Sequence, residues 1–433
     1  MVSRPSTALV VVAATALLGA CALPQPAQLP VRQPAGPTAG QSLLNHHLSQ
    51  VQSSLNSPLV KGNDARLLVD GPAAHEAMLQ AIARARDHVN LQSYIVDAST
   101  IGEKFAELLA AKAAQGVKVS VLYDSVGSIQ TPREFFEDLR QRGIAVCEFN
   151  PVRTRLDKVN NRDHRKILVV DGRVAFTGGI NISETYASSS RRARRIPDQE
   201  TDKKSGWRDT QVRASGPVVA QFQRLFLDAW ALQDCGPYHE ALYYPSPEPN
   251  GSMAMQVVGS DPGTAKSEMY VALLSAIGHA QSRVWLTCGY FVPDAQTKSA
   301  LIEAARRGVD VRLVLPGFTD FWAPLYAGRS HYDELLSAGV RVYEWHEALM
   351  HAKTAVIDSV WSSVGSTNLD WRSFVHNYEA DLVVYDAAFA RGLERLFQRD
   401  VAASVELELQ AWRRRGAAEK LKEWFARQWE YLL

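Results

Sequence analysis

Two histidines in this chain stand in surroundings that repeat. His164 is followed by Lys166, four apolar residues, Asp171, the pair Gly178-Gly179 and Asn181. The template returns with every spacing kept as His351, Lys353, Asp358, Gly365-Ser366 and Asn368, 187 residues further on (351 − 164). A lone His-x-Lys carries no information, whereas its recurrence with the same downstream residues does. Imidazole is both a nucleophile and a proton carrier near neutral pH, and lysine is a fixed cation. A doubled set therefore places a nucleophile or acid beside a fixed cation twice.

Each copy reads as a β-hairpin. Ile167-Leu168-Val169-Val170 is apolar and largely β-branched, Asp171-Gly172 is a favoured tight turn, and Arg173 to Thr177 returns. Side chains alternate along a strand, so the histidine and the lysine two residues on share a face. Gly178-Gly179 and Gly365-Ser366 are small enough to let backbone approach a ligand, and Asn181 and Asn368 can donate to phosphoryl oxygens. Asp171 and Asp358 sit where the turns begin and read as scaffold.

The elements around the hairpins are duplicated too. In the first half, helical periodicity over His75–Arg86 precedes a strand at Val89–Ile95, a helix at Gly102–Gln115 and a strand at Gly116–Leu122. In the second, a helix at Ser267–His279, a strand opening at Val284-Trp285-Leu286 and a helix through Ala305 lead to Gly308–Val314. Arg142–Val146 and Ala338–Val342 mark a third matching strand. The expectation is an α/β fold of two helix-covered sheet halves, residues 63–245 and 246–433.

The doubled pattern resembles the HKD motif of the phospholipase D superfamily, and the resemblance extends from about His75 to near residue 433. It implies two α/β/α sandwich halves about a pseudo-twofold axis, with one active site at their interface and a monomeric active unit. It implies that one imidazole attacks phosphorus to form a phosphohistidine while the other protonates the leaving alkoxide and later deprotonates the incoming alcohol. Lys166, Lys353, Asn181 and Asn368 would hold the phosphate, and no metal or cofactor is required. His164 is taken as nucleophile and His351 as acid/base, an order that the symmetry of the copies leaves open. In the family an acid downstream of each motif orients each histidine. Asp209, in Trp207-Arg208-Asp209, and Glu379, in Asn377-Tyr378-Glu379, are the candidates.

The segment from Asn368-Leu369-Asp370-Trp371-Arg372-Ser373-Phe374 to Glu379, and the aromatic stretch Leu421–Leu433, are similar to bacterial cardiolipin synthases. That similarity implies phosphatidyl transfer to a glycerol hydroxyl of a phospholipid, with phosphatidylglycerol as substrate. Hydrolysis to phosphatidic acid, cleavage of nucleic acid, and a non-catalytic lipid-binding or trafficking role are the alternatives. Binding alone would not require both imidazoles.

Other features set limits. Arg4, the apolar run Ala8–Leu18 and Leu18-Gly19-Ala20-Cys21 read as a lipoprotein signal of residues 1–20 with Cys21 lipidated, because the run is too short to span a bilayer. The chain is then expected in the bacterial envelope, facing the periplasm, and Ala22 after the cysteine points to the outer membrane. Residues 21–62, rich in proline at first, read as an extended tether. Without the signal, 47 Lys+Arg become 46 against 46 Asp+Glu, so no broad field draws the chain to nucleic acid. Cys147, Cys235 and Cys288 allow one disulfide and lack zinc spacing. Arg191–Arg195 with Lys203-Lys204 form a basic run suited either to lipid head groups or to a solvated loop. Tyr94 and Tyr290 end matching strands and read mainly as packing.

Overall fold

The computed structural model describes residues 43–190, 206–237, 248–262 and 267–433. The signal, Cys21, the basic run at 191–204 and the expected junction at 245–246 lie outside the described residues.

Among the described residues, eight strands belong to the first half: β1 (Val60–Val69), β2 (His88–Ser93), β3 (Lys118–Asp124), β4 (Ala145–Phe149), β5 (Arg162–Asp163), β6 (Ile167–Val170), β7 (Val174–Gly178) and β8 (Thr210–Ser215). Eight belong to the second: β9 (Met253–Ser260), β10 (Arg283–Cys288), β11 (Asp310–Pro316), β12 (Arg341–Trp345), β13 (Lys353–Ile357), β14 (Trp361–Gly365), β15 (Asn377–Tyr385) and β16 (Ser404–Glu406). They form one sheet in the order β16-β12-β11-β10-β13-β14-β15-β9-β1-β8-β7-β6-β2-β3-β4, with β5 paired to β15 off that path. Outward from the antiparallel β1–β9 seam, β8-β7-β6-β2-β3-β4 is matched by β15-β14-β13-β10-β11-β12. This order is the expected pseudo-twofold duplication.

Within each half, helical crossovers keep three strands parallel, β2-β3-β4 and β10-β11-β12, and the motif hairpin is inserted antiparallel beside them. Both hairpins, β6–β7 and β13–β14, are present. Their turns place Asp171-Gly172 and Asp358-Ser359 at positive φ (53° and 61°, 50° and 58°), the geometry that matches strand twist.

Alternation along β6 divides the core. Leu168 and Val170 pack outward with Val89, Val119 and Phe105, under the helices Asp70–Ala83, Thr100–Ala114 and Arg133–Gln141. Ile167 and Val169 face a second layer with Phe222 of the helix Val219–Leu232 and Phe389, Leu393 and Phe397 of the helix Ala387–Ala402. That layer draws residues from both halves and fixes one against the other. Emptying it at Phe222 would cost about 3–5 kcal/mol.

The expected tether is not extended throughout. Residues Leu43–His46, His47–Val51 and Gln52–Ser54 are helical and dock on the second half, where His47 Nε2 lies 3.1 Å from Gln256 Oε1 and Val51 and Leu55 pack on Val271. The physical reason is that proline is absent between Pro37 and Pro58, so nothing there breaks a helix. β1 likewise begins at Val60, before residue 63. A disulfide joins Cys147 of β4 to Cys235 just beyond the helix Val219–Leu232, with Cα atoms 5.6 Å apart, and Cys288 is a buried free thiol.

Candidate active site

The hairpins flank the four central strands β15-β9-β1-β8, and what precedes each histidine is stitched to the opposite half. Arg162-Asp163 pairs in parallel with Asn377-Tyr378, and the His164 N–H donates to Tyr378 O at 2.9 Å. By the same symmetry Arg208 bridges Met350, and the His351 N–H donates to Arg208 O at 2.8 Å. Each histidine therefore lies beside the acid of the other half. His164 Nδ1 is 2.9 and 3.1 Å from the two Glu379 carboxylate oxygens. His351 Nδ1 is 2.8 Å from Asp209 Oδ2. Both acids expected from sequence meet histidines, with a crossing that spacing along the chain does not reveal. Carboxylate oxygens accept, so each Nδ1 carries the hydrogen and each Nε2 keeps its lone pair.

The dyads are held by further contacts. Glu379 Oε1 accepts from Asn377 Nδ2 at 3.2 Å, and Arg165 Nε donates to Glu379 O at 3.1 Å. Arg208 is buried, bonded to Asp400 through Nη2 at 2.7 Å and Nε at 3.2 Å, and donates to Asp209 O at 2.6 Å. His351 Nδ1 also lies 3.1 Å from the Tyr186 hydroxyl, which donates to Gly179 O. The Trp207 ring stands 5.1 Å from that of His351. Sequence pattern did not single out Tyr186, Arg165, Arg208 or Asp400. Only Arg165, between His164 and Lys166, and Arg208, adjacent to Asp209, carried a local signal.

One glycine of each small pair lies against a carboxylate. A Cβ at Gly179 would stand 2.2 Å from Asp209 Oδ1, and one at Gly365 would stand 2.0 Å from Asp381 Oδ1. The space left at Gly179 and Gly365 admits these carboxylates. The two asparagines also serve the frame: Asn181 Oδ1 accepts from Ile95 N–H at 3.1 Å, and Asn368 Oδ1 accepts from Tyr290 N–H at 3.3 Å. Asn181 Nδ2 donates to Tyr186 at 3.3 Å. Asp171 and Asp358 are scaffold, each accepting three backbone N–H groups ahead of β2 and β10 (Arg86, Asp87 and His88; Gln281, Ser282 and Arg283).

The lysines turn inward. Lys166 Nζ donates to His164 O at 2.6 Å, and Lys353 Nζ donates to His351 O. Tyr94 is more than packing: its ring is 5.2 Å from that of His164 and its centroid is 5.3 Å from Lys166 Nζ. Tyr290 meets His351 edge-on at 6.1 Å.

Burial sets the charge states. It pushes His164 well below the usual imidazole range, with Lys166, Lys353, His351 and Arg372 adding to the effect. Burial and Lys353 push His351 down to about 4 against the opposing pull of Asp209. Lys166 falls to about 7 and Lys353 also falls, both through burial. Glu379 rises to about 7 through burial, opposed by Lys166. With neutral imidazoles the site presents nucleophiles at neutral pH. A bound anion would restore the cations by raising all four bases.

The sequence matches the model of a cardiolipin synthase, PLD-like domain, over residues 78–193 and 273–401. The chain is 33% identical over 392 residues to cardiolipin synthase 1 of Bacillus anthracis, covering 88% of this chain and 75% of that protein. It is 37% identical over 355 residues to cardiolipin synthase A of Pseudomonas aeruginosa PAO1, covering 81% and 69%. Among solved structures, phosphatidylserine synthase of Haemophilus influenzae superposes with a TM-score of 0.65 at 14% identity, over 88% of this chain and 99% of that one, which speaks to the fold alone.

Proposed function

The chain belongs to the cardiolipin synthase family of phospholipase D-like domains, and from that premise we propose that it makes cardiolipin by phosphatidyl transfer. The single observation that carries this reading is the pair of crossed histidine–carboxylate dyads, His164–Glu379 and His351–Asp209, gathered with two buried lysines. His164 Nε2 attacks the phosphorus of phosphatidylglycerol, and the bond from phosphorus to the glycerol oxygen breaks. His351 gives its Nε2 proton to that oxygen, and glycerol leaves. A glycerol hydroxyl of a second phospholipid then passes its proton to His351 and attacks phosphorus, breaking the P–N bond.

The dyads let each ring accept positive charge, Glu379 at the phosphohistidine and Asp209 at the imidazolium. Lys166 and Lys353 offset the negative oxygens, and such charge stabilisation is the main source of rate in a transfer of this kind. For His351 to act as acid it must be protonated, and the arriving phosphodiester supplies the negative charge that raises it. Both histidines come from one chain, which supports a monomeric active unit. The relatives are membrane-lipid enzymes by name, and the reading extends to a membrane-associated bacterial protein carrying a lipid at Cys21 and facing the periplasm, at the outer membrane. The Cys147–Cys235 disulfide supports an oxidising compartment. Among the described residues no helix is long and apolar enough to cross a membrane.

The test is incubation of the purified protein with glycerol-labelled phosphatidylglycerol. Cardiolipin and free labelled glycerol are expected. Phosphatidic acid as sole lipid product would assign a hydrolase instead, and lipid binding without turnover, unchanged by His164→Ala, would assign a binding protein.

A further inference from the structure

The helix Ala417–Arg427 has its pattern inverted. A surface helix ordinarily buries its apolar stripe, yet here the buried positions are Glu423 and Ala426. Glu423 is held by Arg415, and past the helix Glu430 lies 3.2 Å from His331 Nε2. The outward stripe is Leu421, Trp424 and Phe425, at 64%, 61% and 49% exposure, and Trp429, Tyr431 and Leu432 continue it. The helix Trp322–Arg329 packs alongside and adds exposed Phe321 and Trp322. The Tyr326 ring joins the two, 6.3 Å from the Trp322 ring and 5.2 Å from Lys422 Nζ.

This patch borders the segment that carries Arg372, next to the His164 site. Leu433 O accepts from the Arg372 N–H at 3.3 Å, and Trp371 and Tyr431 lie 5.1 Å apart. The Arg372 charge acts on His164, and its guanidinium donates to Asn160 at 3.1 Å. Asn160 belongs to a loop that exposes Leu156 and Val159. Apolar side chains therefore flank Arg372 on two sides.

We propose that this face, residues 417–433 with Phe321 and Trp322, docks on the surface of an anionic phospholipid bilayer and sets the catalytic site at the level of the lipid head groups. Exposed apolar area of this kind marks an interface. Tryptophan and tyrosine interleaved with lysine and arginine is the composition of bilayer-water boundaries. Lysine is depleted from the centres of protein-protein contacts, whereas Lys420, Lys422 and Arg427 are exposed among these aromatics. The identity of the lipid rests on the transferase reading above, while the docking itself is measured separately.

The experiment uses the full chain with phosphatidylglycerol-containing vesicles whose acyl chains are brominated, reading quenching of tryptophan fluorescence. The L421S/F425S variant keeps every tryptophan and changes only exposed positions. The expected result is quenching in wild type that falls in the variant, with turnover on vesicles reduced about tenfold or more. Turnover on monomeric short-chain phosphatidylglycerol should stay unchanged. Undiminished quenching in the variant would overturn the proposal, as would equal loss on both substrates. So would a wild-type dimer that L421S/F425S converts to monomer with quenching intact. Should wild type turn over neither substrate, the transferase reading fails, and the quenching still decides the docking.

Discussion

Glu379, carried by the second half of the sheet, holds Nδ1 of His164, carried by the first, at 2.9 Å. Its mirror, Asp209 on His351, makes the two halves mutually dependent, since neither half contains a complete dyad. The duplication is therefore one catalytic unit.

Removing the charge while keeping the shape of either acid tests that dependence. Glu379→Gln and Asp209→Asn should each lower kcat by roughly 10²–10⁴-fold with a modest change in KM, because the carboxylate acts on charge that develops during transfer. Steady-state kinetics of both variants checks this, and a change confined to KM would remove the acids from the chemical step.

Gly179 is expected to be intolerant of a single added carbon. Gly179→Ala places its Cβ against Asp209 Oδ1, so the carboxylate must move away from its present seat, and the loss of activity should approach that of Asp209→Asn. Affinity for phosphatidylglycerol should change little. The paired measurement is turnover with vesicle binding, and full activity in Gly179→Ala would show that the small residue serves something else.

Acid should destabilise wild type partly through His351. Its native value of about 4 lies below the ordinary 6.5, so between these pH values the unfolded chain binds more protons than the native one. Stability therefore falls as pH drops from 6.5 toward 4. His351→Asn deletes that contribution, and its denaturant-midpoint curve should be flatter across the same window. Parallel curves would refute the buried neutral imidazole.

Much of the fold was legible because strands and hairpins write themselves in local pattern. The apolar, β-branched Ile167–Val170, the Asp171-Gly172 turn and the matching strands β3 and β11 needed only neighbours in sequence to be recognised. Asp209 and Glu379 were named from the family resemblance, and nothing in the sequence announced their crossing. It depends on the two-residue parallel pairing of Arg162-Asp163 with Asn377-Tyr378, which no periodicity encodes. Arg208 and Asp400 are 192 residues apart, so their buried ion pair is likewise a product of tertiary packing. The room that Gly179 leaves for Asp209 and Gly365 leaves for Asp381 was not legible, because a gap for a ligand and a gap for a carboxylate leave the same trace in sequence. The helix at residues 43–54 was hidden by the proline-rich stretch before it.

The most direct test of the phosphohistidine mechanism is a rapid-quench reaction of His351→Asn with a phosphatidyl p-nitrophenyl ester labelled at phosphorus, whose leaving group departs without a proton from His351. Formation of the intermediate then proceeds while activation of the incoming alcohol is lost, and label should accumulate on the peptide containing His164 in an alkali-stable, acid-labile bond. Label on no histidine, in this variant and in wild type quenched within a turnover, would contradict the covalent intermediate on which the transfer depends.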